Sequence, residues 1–422
     1  MVKKAFFLLF ISIVFLSCKQ SSIPFVTADG DHFIRNGKPY YYVGVNMWYA
    51  PILASVGEGG NRERLHRELD FLQSIGVNNL RILAGADGEC GVKSRVEPTL
   101  QIAAGVYNDT LLDGLDYLLS EMRKRNMLAV LYLNNAWEWS GGYSVYLQWA
   151  GRGVPPVPAI DGWGAYMQYV SQFVMCDSAQ KLFAGHVDFI LNRTNRYTGV
   201  KYADDPAIMA WQVGNEPRCF STDSVNKEAF AAWMASVAAQ IKSIDKNHLV
   251  TSGSEGKHGC EEDIALFEKI HADKNMDYLE MHIWSYNWGW INKETYADSL
   301  RYACEQTLEY VNEHKAVAAR LNKPLVLGEF GYPRDGIKFS RETPTTARDK
   351  YYEYVFGLVA NKEFAGCNIW GWGGYAELPQ GHIFWERGDD YVADPAQEEQ
   401  GLNSVFVTDT GTVNIICGAG GK

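Results

Sequence analysis

Positive charge is in short supply along this chain. Its 39 Lys and Arg residues face 50 Asp and Glu, a formal net charge of −11. That balance makes nucleic acid and anionic membrane surfaces poor partners and suits a neutral or cationic ligand. Nucleotide-binding fingerprints are missing: neither GxGxxG nor GxxxxGK[ST] follows any strand-like run. The cysteines show no CxxC or other metal-like spacing, which argues against a zinc site. No repeat with a period of roughly 20–50 residues interrupts the mature chain, and neither does a low-complexity tract or linker. It therefore reads as one domain over residues 29–422, behind a tether over 18–28.

The N-terminus reads as an export signal. Lys3 and Lys4 precede an apolar run from Ala5 to Leu16, too short to span a membrane. The run ends at Phe15-Leu16-Ser17-Cys18, which resembles a bacterial lipoprotein signal over residues 1–17. Cys18 would then be lipidated, and the protein anchored in a bacterial cell envelope, periplasmic or at the cell surface. Any membrane contact would come through that lipid alone. Seven cysteines remain, an odd number, so at least one is unpaired. Cys219 and Cys260 would lie on loops at the same face and are the expected disulfide pair.

Apolar residues make up 47% of the chain and aromatics 13%, with 13 Trp and 24 Tyr. A core accounts for many of these. Flat aromatic faces also suit the apolar C–H face of a pyranose ring.

Short apolar runs alternate with helical periodicity along the chain. Buried-strand signals fall at Tyr41–Asn46, Asn79–Leu83, Met127–Leu133, 207–215, His248–Ser252, Asp277–Ile283, Pro324–Leu327 and Gly366–Trp370. Helical spacing lies between them over 61–75, 110–125, 164–196, 226–243, 296–321 and 345–361. Turn chemistry over 29–39 suggests a hairpin closing the bottom, and 137–162 reads as an irregular insertion rich in Gly, Pro and Trp. Eight such β–α units imply a parallel (β/α)₈ barrel with extended βα loops.

In such a barrel Glu216 ends the fourth strand and Glu329 the seventh. Both would face the barrel mouth, where catalytic groups of this architecture sit. Two carboxylates across a scissile bond are the working pair of glycoside hydrolysis, one protonated and one ionised. Arg81, on the second strand, also has a plain structural reading as one half of a buried ion pair. Glu255 is a rival carboxylate, better read as a loop anchor. Glu280, inside strand six, needs a partner. Trp48, Trp139, Trp149, Trp163, Trp288 and Trp290 each read as structural.

The ordered motifs carry a resemblance. They are Gly44-Val45-Asn46-Met47-Trp48-Tyr49, Leu80-Arg81-Ile82, Asn134-Asn135-Ala136-Trp137, Trp211-Gln212-Val213-Gly214-Asn215-Glu216-Pro217-Arg218, Ser252-Gly253-Ser254-Glu255-Gly256, His282-Ile283-Trp284, Gly328-Glu329-Phe330-Gly331, Ile369-Trp370-Gly371-Trp372 and Ser404-Val405-Phe406. The set resembles glycoside hydrolase family 5, and within it the endo-β-1,4-mannanases. The resemblance implies a retaining enzyme acting on internal bonds of neutral mannan, glucomannan or galactomannan. It implies Glu216 as general acid/base, Glu329 as nucleophile and Asn215 as donor to the sugar 2-hydroxyl. It further implies Arg81 holding the nucleophile ionised, His282 lining the site and Trp370 as its aromatic floor. Trp137 becomes an expected wall on the negative-subsite loop, and Arg218 a contact on the leaving-group side. The family's usual His-x-Tyr is replaced here by Trp284, with Tyr286 two residues on, so either would contact the nucleophile. No metal or organic cofactor is implied, and a monomer is expected. The alternatives are another β-glycosidase of the same clan, an exo-mannosidase or β-glucanase, and a non-catalytic carbohydrate-binding lipoprotein.

Overall fold

The computed structural model describes residues 24–294 and 296–421. The export signal and Cys18 lie outside them. Eight parallel strands form one sheet: β1 (Tyr42–Asn46), β2 (Asn79–Leu83), β3 (Leu128–Tyr132), β4 (Ile208–Gln212), β5 (Leu249–Thr251), β6 (Leu279–Trp284), β7 (Leu325–Gly331) and β8 (Gly366–Ile369). The pairing order is β5-β4-β3-β2-β1-β8-β7-β6. Asp277 and Tyr278, leading into β6, bond across to β5 at Val250 and Thr251, so the sheet is nearly closed into a barrel. Helices Arg62–Ser74, Asp109–Lys124, Asp177–Leu191, Ser224–Ile244, Ile264–His271, Tyr296–Leu321 and Thr346–Ala360 follow strands β1 to β7 in turn, each leading into the next strand. Each crossover wraps the outside of the sheet.

Alternation along the strands builds two cores. On β3, Leu128 and Val130 turn inward and pack at the barrel bottom with Phe33, Tyr42 and Tyr278. Ala129 and Leu131 turn outward to the helices. The bottom is covered by a small antiparallel sheet, Thr27–Asp29, His32–Arg35 and Lys38–Tyr40, where the hairpin was expected. Higher in the barrel the inward positions become polar. Arg81, Gln212 and Glu280 occupy them, all buried.

Three local expectations need correction. The segment after β3, expected to be irregular over 137–162, carries regular elements: a 3₁₀ turn at Glu138–Ser140 and α-helices at Gly142–Trp149 and Pro158–Asp161. The helical stretch expected over 164–196 is broken into Trp163–Val170, Phe173–Met175 and Asp177–Leu191. Cys219 and Cys260 are both buried free thiols, not a disulfide. The Cys219 thiol donates to the carbonyl of Ser221 at 3.2 Å instead.

Candidate active site

Strand register assembles the centre. Asn46 lies opposite Arg81 between β1 and β2, and His282 opposite Glu329 between β6 and β7. Glu216, just past β4, takes a left-handed backbone with φ 48°. A non-glycine residue in that region is strained and tends to occur where function requires it. Its amide is held by the carbonyl of Gly253 at 2.9 Å, and the Asn215 amide by that of Asn134 at 2.8 Å. Pro217 then stops any further pairing.

Glu216, His282 and Glu329 converge, with one ligand-type atom from each within 4.8 Å of the others. His282 Nδ1 is 2.8 Å from Glu216 and 3.5 Å from Glu329. Arg81, fully buried, donates from Nη1 to Glu329 at 2.5 Å and to Asn46 Oδ1 at 3.0 Å. Its Nη2 donates to Asn215 Oδ1 and its Nε to Gln212 Oε1. The guanidinium also stacks over the Tyr132 ring at 4.5 Å. Glu280 lies beneath, 3.4 Å from both Arg81 Nε and His282 Nε2, and accepts a hydrogen bond from Gln212. Arg81 thus faces two buried carboxylates, which is the partner Glu280 needed.

Burial raises both catalytic-site carboxyls above the ordinary glutamate range. At Glu329 the Arg81 charge opposes the rise while Glu216 adds to it. Like charges this close favour one shared proton. Burial pushes His282 down to about 4 despite its hydrogen bond to Glu280, so the ring is neutral near pH 7. Two carboxylates and an imidazole are a donor set a divalent cation would suit. Here the Arg81 cation already sits on Glu329, and it would repel a second positive charge.

The cleft above this centre has a volume of about 520 Å³. Asn215, Arg218, Trp137, Trp284 and Trp370 all line it with the two glutamates. Asn215 spends one amide hydrogen on Asn135, which leaves its second for the cleft. Trp137 and Trp284 both donate their indole N–H to Glu216, Trp284 at 3.2 Å. Trp284 therefore contacts Glu216 and not Glu329. Trp137 stands beside Glu216, with Arg218 over its ring at 5.3 Å. Arg218 is tied to Glu255 at 2.6 Å, so Glu255 does anchor a loop. Trp370 packs edge-on to Trp284.

Tyr286 does not join the cleft. The chain turns after Trp284, with Trp288 N bonded to the Trp284 carbonyl, and leaves Tyr286 37% exposed outside the lining. Trp139, Trp163 and Trp288, read as structural, do line the cleft. Sequence reasoning also missed Asn46, Gln212 and Asn135 as partners of the site, and Pro395, Gln397 and Glu398 as part of its wall. Gln212 carried a usable signal: a polar side chain inside an apolar strand run.

Residues 23–420 match the family described as "GH family 5 beta-mannosidase-like". The chain is 29% identical over 381 residues to a putative mannan endo-1,4-beta-mannosidase 9 of Oryza sativa, covering 86% of this chain and 81% of that one. It is 28% identical over 406 residues to mannan endo-1,4-beta-mannosidase 7 of Arabidopsis thaliana, covering 93% and 84%. Among solved structures it is similar to a glycoside hydrolase family 5 mannosidase from Rhizomucor miehei, at 33% identity and TM-score 0.85 over 95% of this chain and 98% of that one. An endo-1,4-beta-mannanase from the same fungus shares the fold, with TM-score 0.68 at 23% identity over 94% and 100%. The two glutamates at the tips of β4 and β7 thus stand in a chain that belongs to glycoside hydrolase family 5, in its β-mannosidase-like group.

Proposed function

We propose that this chain hydrolyses β-1,4-mannosidic bonds with retention of configuration, with Glu329 as nucleophile and Glu216 as general acid and base. The observation that carries the reading is the carboxyl separation: oxygens of Glu216 and Glu329 lie within 4.8 Å. Retaining glycosidases hold the pair at about 5–5.5 Å, whereas inverting ones leave room for a water between them. The Arg81 guanidinium favours the charge on Glu329, and burial favours the proton on Glu216 against the pull of its two indole donors.

In the first step a Glu329 oxygen bonds to the anomeric carbon. The bond to the leaving oxygen breaks, and that oxygen takes the Glu216 proton. In the second, water attacks the same carbon, Glu216 takes its proton, and the bond to Glu329 breaks. The plant relatives' names support mannan cleaved at internal bonds, and glucomannan and galactomannan are proposed with it because they carry the same β-1,4-mannosidic link. A second reading is release of units from a chain end; it is kept because the chain is more similar to a fungal protein named a mannosidase than to one named an endo-mannanase. The expected lipid anchor at Cys18 would hold the enzyme at the cell envelope.

A polysaccharide panel tests the proposal. Wild type is expected to cleave β-mannan, with the first sugar released as the β-anomer by proton NMR. Glu329→Ala and Glu216→Ala are each expected to lose at least about a thousandfold in kcat. Unchanged hydrolysis by Glu329→Ala sinks the mechanism. Mannose alone as first product from mannohexaose replaces internal cleavage with the second reading.

A further inference from the structure

Between β8 and the last helix (Thr410–Ala419) the chain runs as a strap, residues 371–404, across the barrel mouth. It is fastened to the loops after β1 and β2. Trp48 Nε1 donates to the Ala393 carbonyl at 2.7 Å. Tyr391 bonds to the Glu97 backbone at 2.7 Å, and Arg387 makes a two-pronged pair with Glu58. Asp394 stiffens the strap from within, accepting from Gly401, Asn403 and Ser404. The inner face of this strap, Pro395, Gln397 and Glu398, forms part of the cleft wall.

We propose that Gln397 and Glu398 recognise the outermost sugar unit on the non-reducing side of the bond that is cut, and so fix how many units are held there. The inference rests on the mannoside-hydrolase reading above and adds a subsite to it.

The side follows from the chemistry. The acid must stand by the leaving oxygen, and Glu216 has Trp137 bonded to it, with Arg218 over that ring and tied to Glu255. Trp370 and the strap residues Pro395, Gln397 and Glu398 line the same cleft, and the proposal lays the other end of the chain along them. A segment fastened over two neighbouring loops is a stop for that chain.

The wall also holds unsatisfied polar atoms. Gln397 Oε1 and Trp370 Nε1 are both buried without a hydrogen-bond partner among the described residues, and Trp370 is only 3% exposed. Buried polar atoms of this kind cost free energy unless a ligand completes them. Glu398 adds a carboxyl pushed up to about 8 by burial, with the charges of Asp394, Glu138 and Glu216 adding to the rise. At neutral pH it therefore holds a proton, and a neutral carboxyl both donates and accepts. Vicinal sugar hydroxyls need that pairing. Asp394 cannot substitute, since its oxygens are committed within the strap.

Steady-state kinetics on β-1,4-mannooligosaccharides from mannobiose to mannohexaose test this, with first products read from mannohexaose. Glu398→Ala is expected to raise KM for the longer members about three- to tenfold, with kcat changed far less. Its first products should spread over more lengths than those of wild type. Glu398→Gln keeps a donor and an acceptor, and should restore KM to within about twofold. Gln397→Ala should move KM in the same direction as Glu398→Ala. If Glu398→Ala and Gln397→Ala match wild type in KM and product lengths while wild type cleaves the series, this inference alone is overturned. A wild type inactive on the whole series overturns the mannoside reading and this inference with it.

Discussion

Arg81 is the residue on which the centre's charge balance turns. It is a positioning residue, fully buried and out of reach of a sugar. Its one cation serves Glu329 at 2.5 Å and Glu280 at 3.4 Å. Arg81→Met would remove that cation and leave two carboxyls buried without it. Glu329 would then bind its proton more tightly, because burial and the Glu216 charge already raise it and only Arg81 opposes. The acid limb of the kcat/KM profile, where the nucleophile must ionise, should move to higher pH. kcat at neutral pH should drop about a hundredfold or more, and stability by about 3–5 kcal/mol. A pH–rate profile identical in shape to that of wild type would mean Arg81 only packs. At this scale the sequence was informative about what sits at strand tips and less so about what lies under them. Glu216, Glu329, Asn215 and Trp370 stand out beside breaks in apolar runs. Tyr286 was misplaced because one turn after Trp284 reverses the chain, and no residue pattern marks that turn.

The strands were legible because each is a short buried run with a polar or glycine stop. Observed and expected boundaries differ by a residue or two at most ends, as for Tyr42–Asn46 against Tyr41–Asn46, and Asn79–Leu83 agrees at both. β7 shows what periodicity alone hides. It continues past Leu327 through Gly328, Glu329, Phe330 and Gly331, because its register with β6 shifts there. Gly328 is needed at that shift. A Cβ on it would sit 2.0 Å from Glu280 Oε1 and 2.7 Å from its carboxyl carbon. Gly328→Ala should therefore push Glu280 off Arg81 and His282, and cost roughly 1–3 kcal/mol in urea unfolding. The same change made on Glu280→Ala should cost much less, since the obstructing carboxyl is gone. Equal costs in the two backgrounds would show that the clash is not with Glu280. The helix Gly142–Trp149 was hidden for a local reason: two glycines open it, both at positive φ, where a helix start is hard to read. The strap went unread because its fastenings pair residues about 300 positions apart in the chain, such as Arg387 with Glu58.

Across the whole molecule, two opposed sets stand out among the buried titratable groups, and together they shape stability against pH. Burial pushes His186, His282 and His314 down to about 4 and His271 to about 3, from an ordinary 6.5. Burial pushes Asp87, Glu138 and Glu255 up to about 7 and Glu398 to about 8. As pH falls below 6.5 the unfolded histidines take up protons that the folded ones refuse, so this set destabilises toward acid. The acids work the other way. Above an ordinary carboxyl value of about 4.5 they keep protons in the fold that the unfolded chain releases, so this set destabilises toward alkali until about pH 7–8. Each group changes the unfolding equilibrium by up to about tenfold per pH unit within its window. Between about pH 4.5 and 6.5 the two sets oppose each other and stability should be nearly level. Below 4.5 the histidines still act, joined by buried carboxyls that their partners hold low, such as Glu121 and Asp245, and above 6.5 the raised acids act, so stability should fall on both sides. Urea midpoints taken from pH 3.5 to 8 check this; they should trace a plateau with two shoulders. His314→Gln should make the acid shoulder shallower, since it removes one group that the folded state keeps neutral. A midpoint rising from pH 4.5 to 6.5 and level from there to 8 would show that the buried acids release their protons in the folded state. Glu398 would then be ionised at neutral pH, and the cleft wall would face the sugar with a charge instead of a proton to donate.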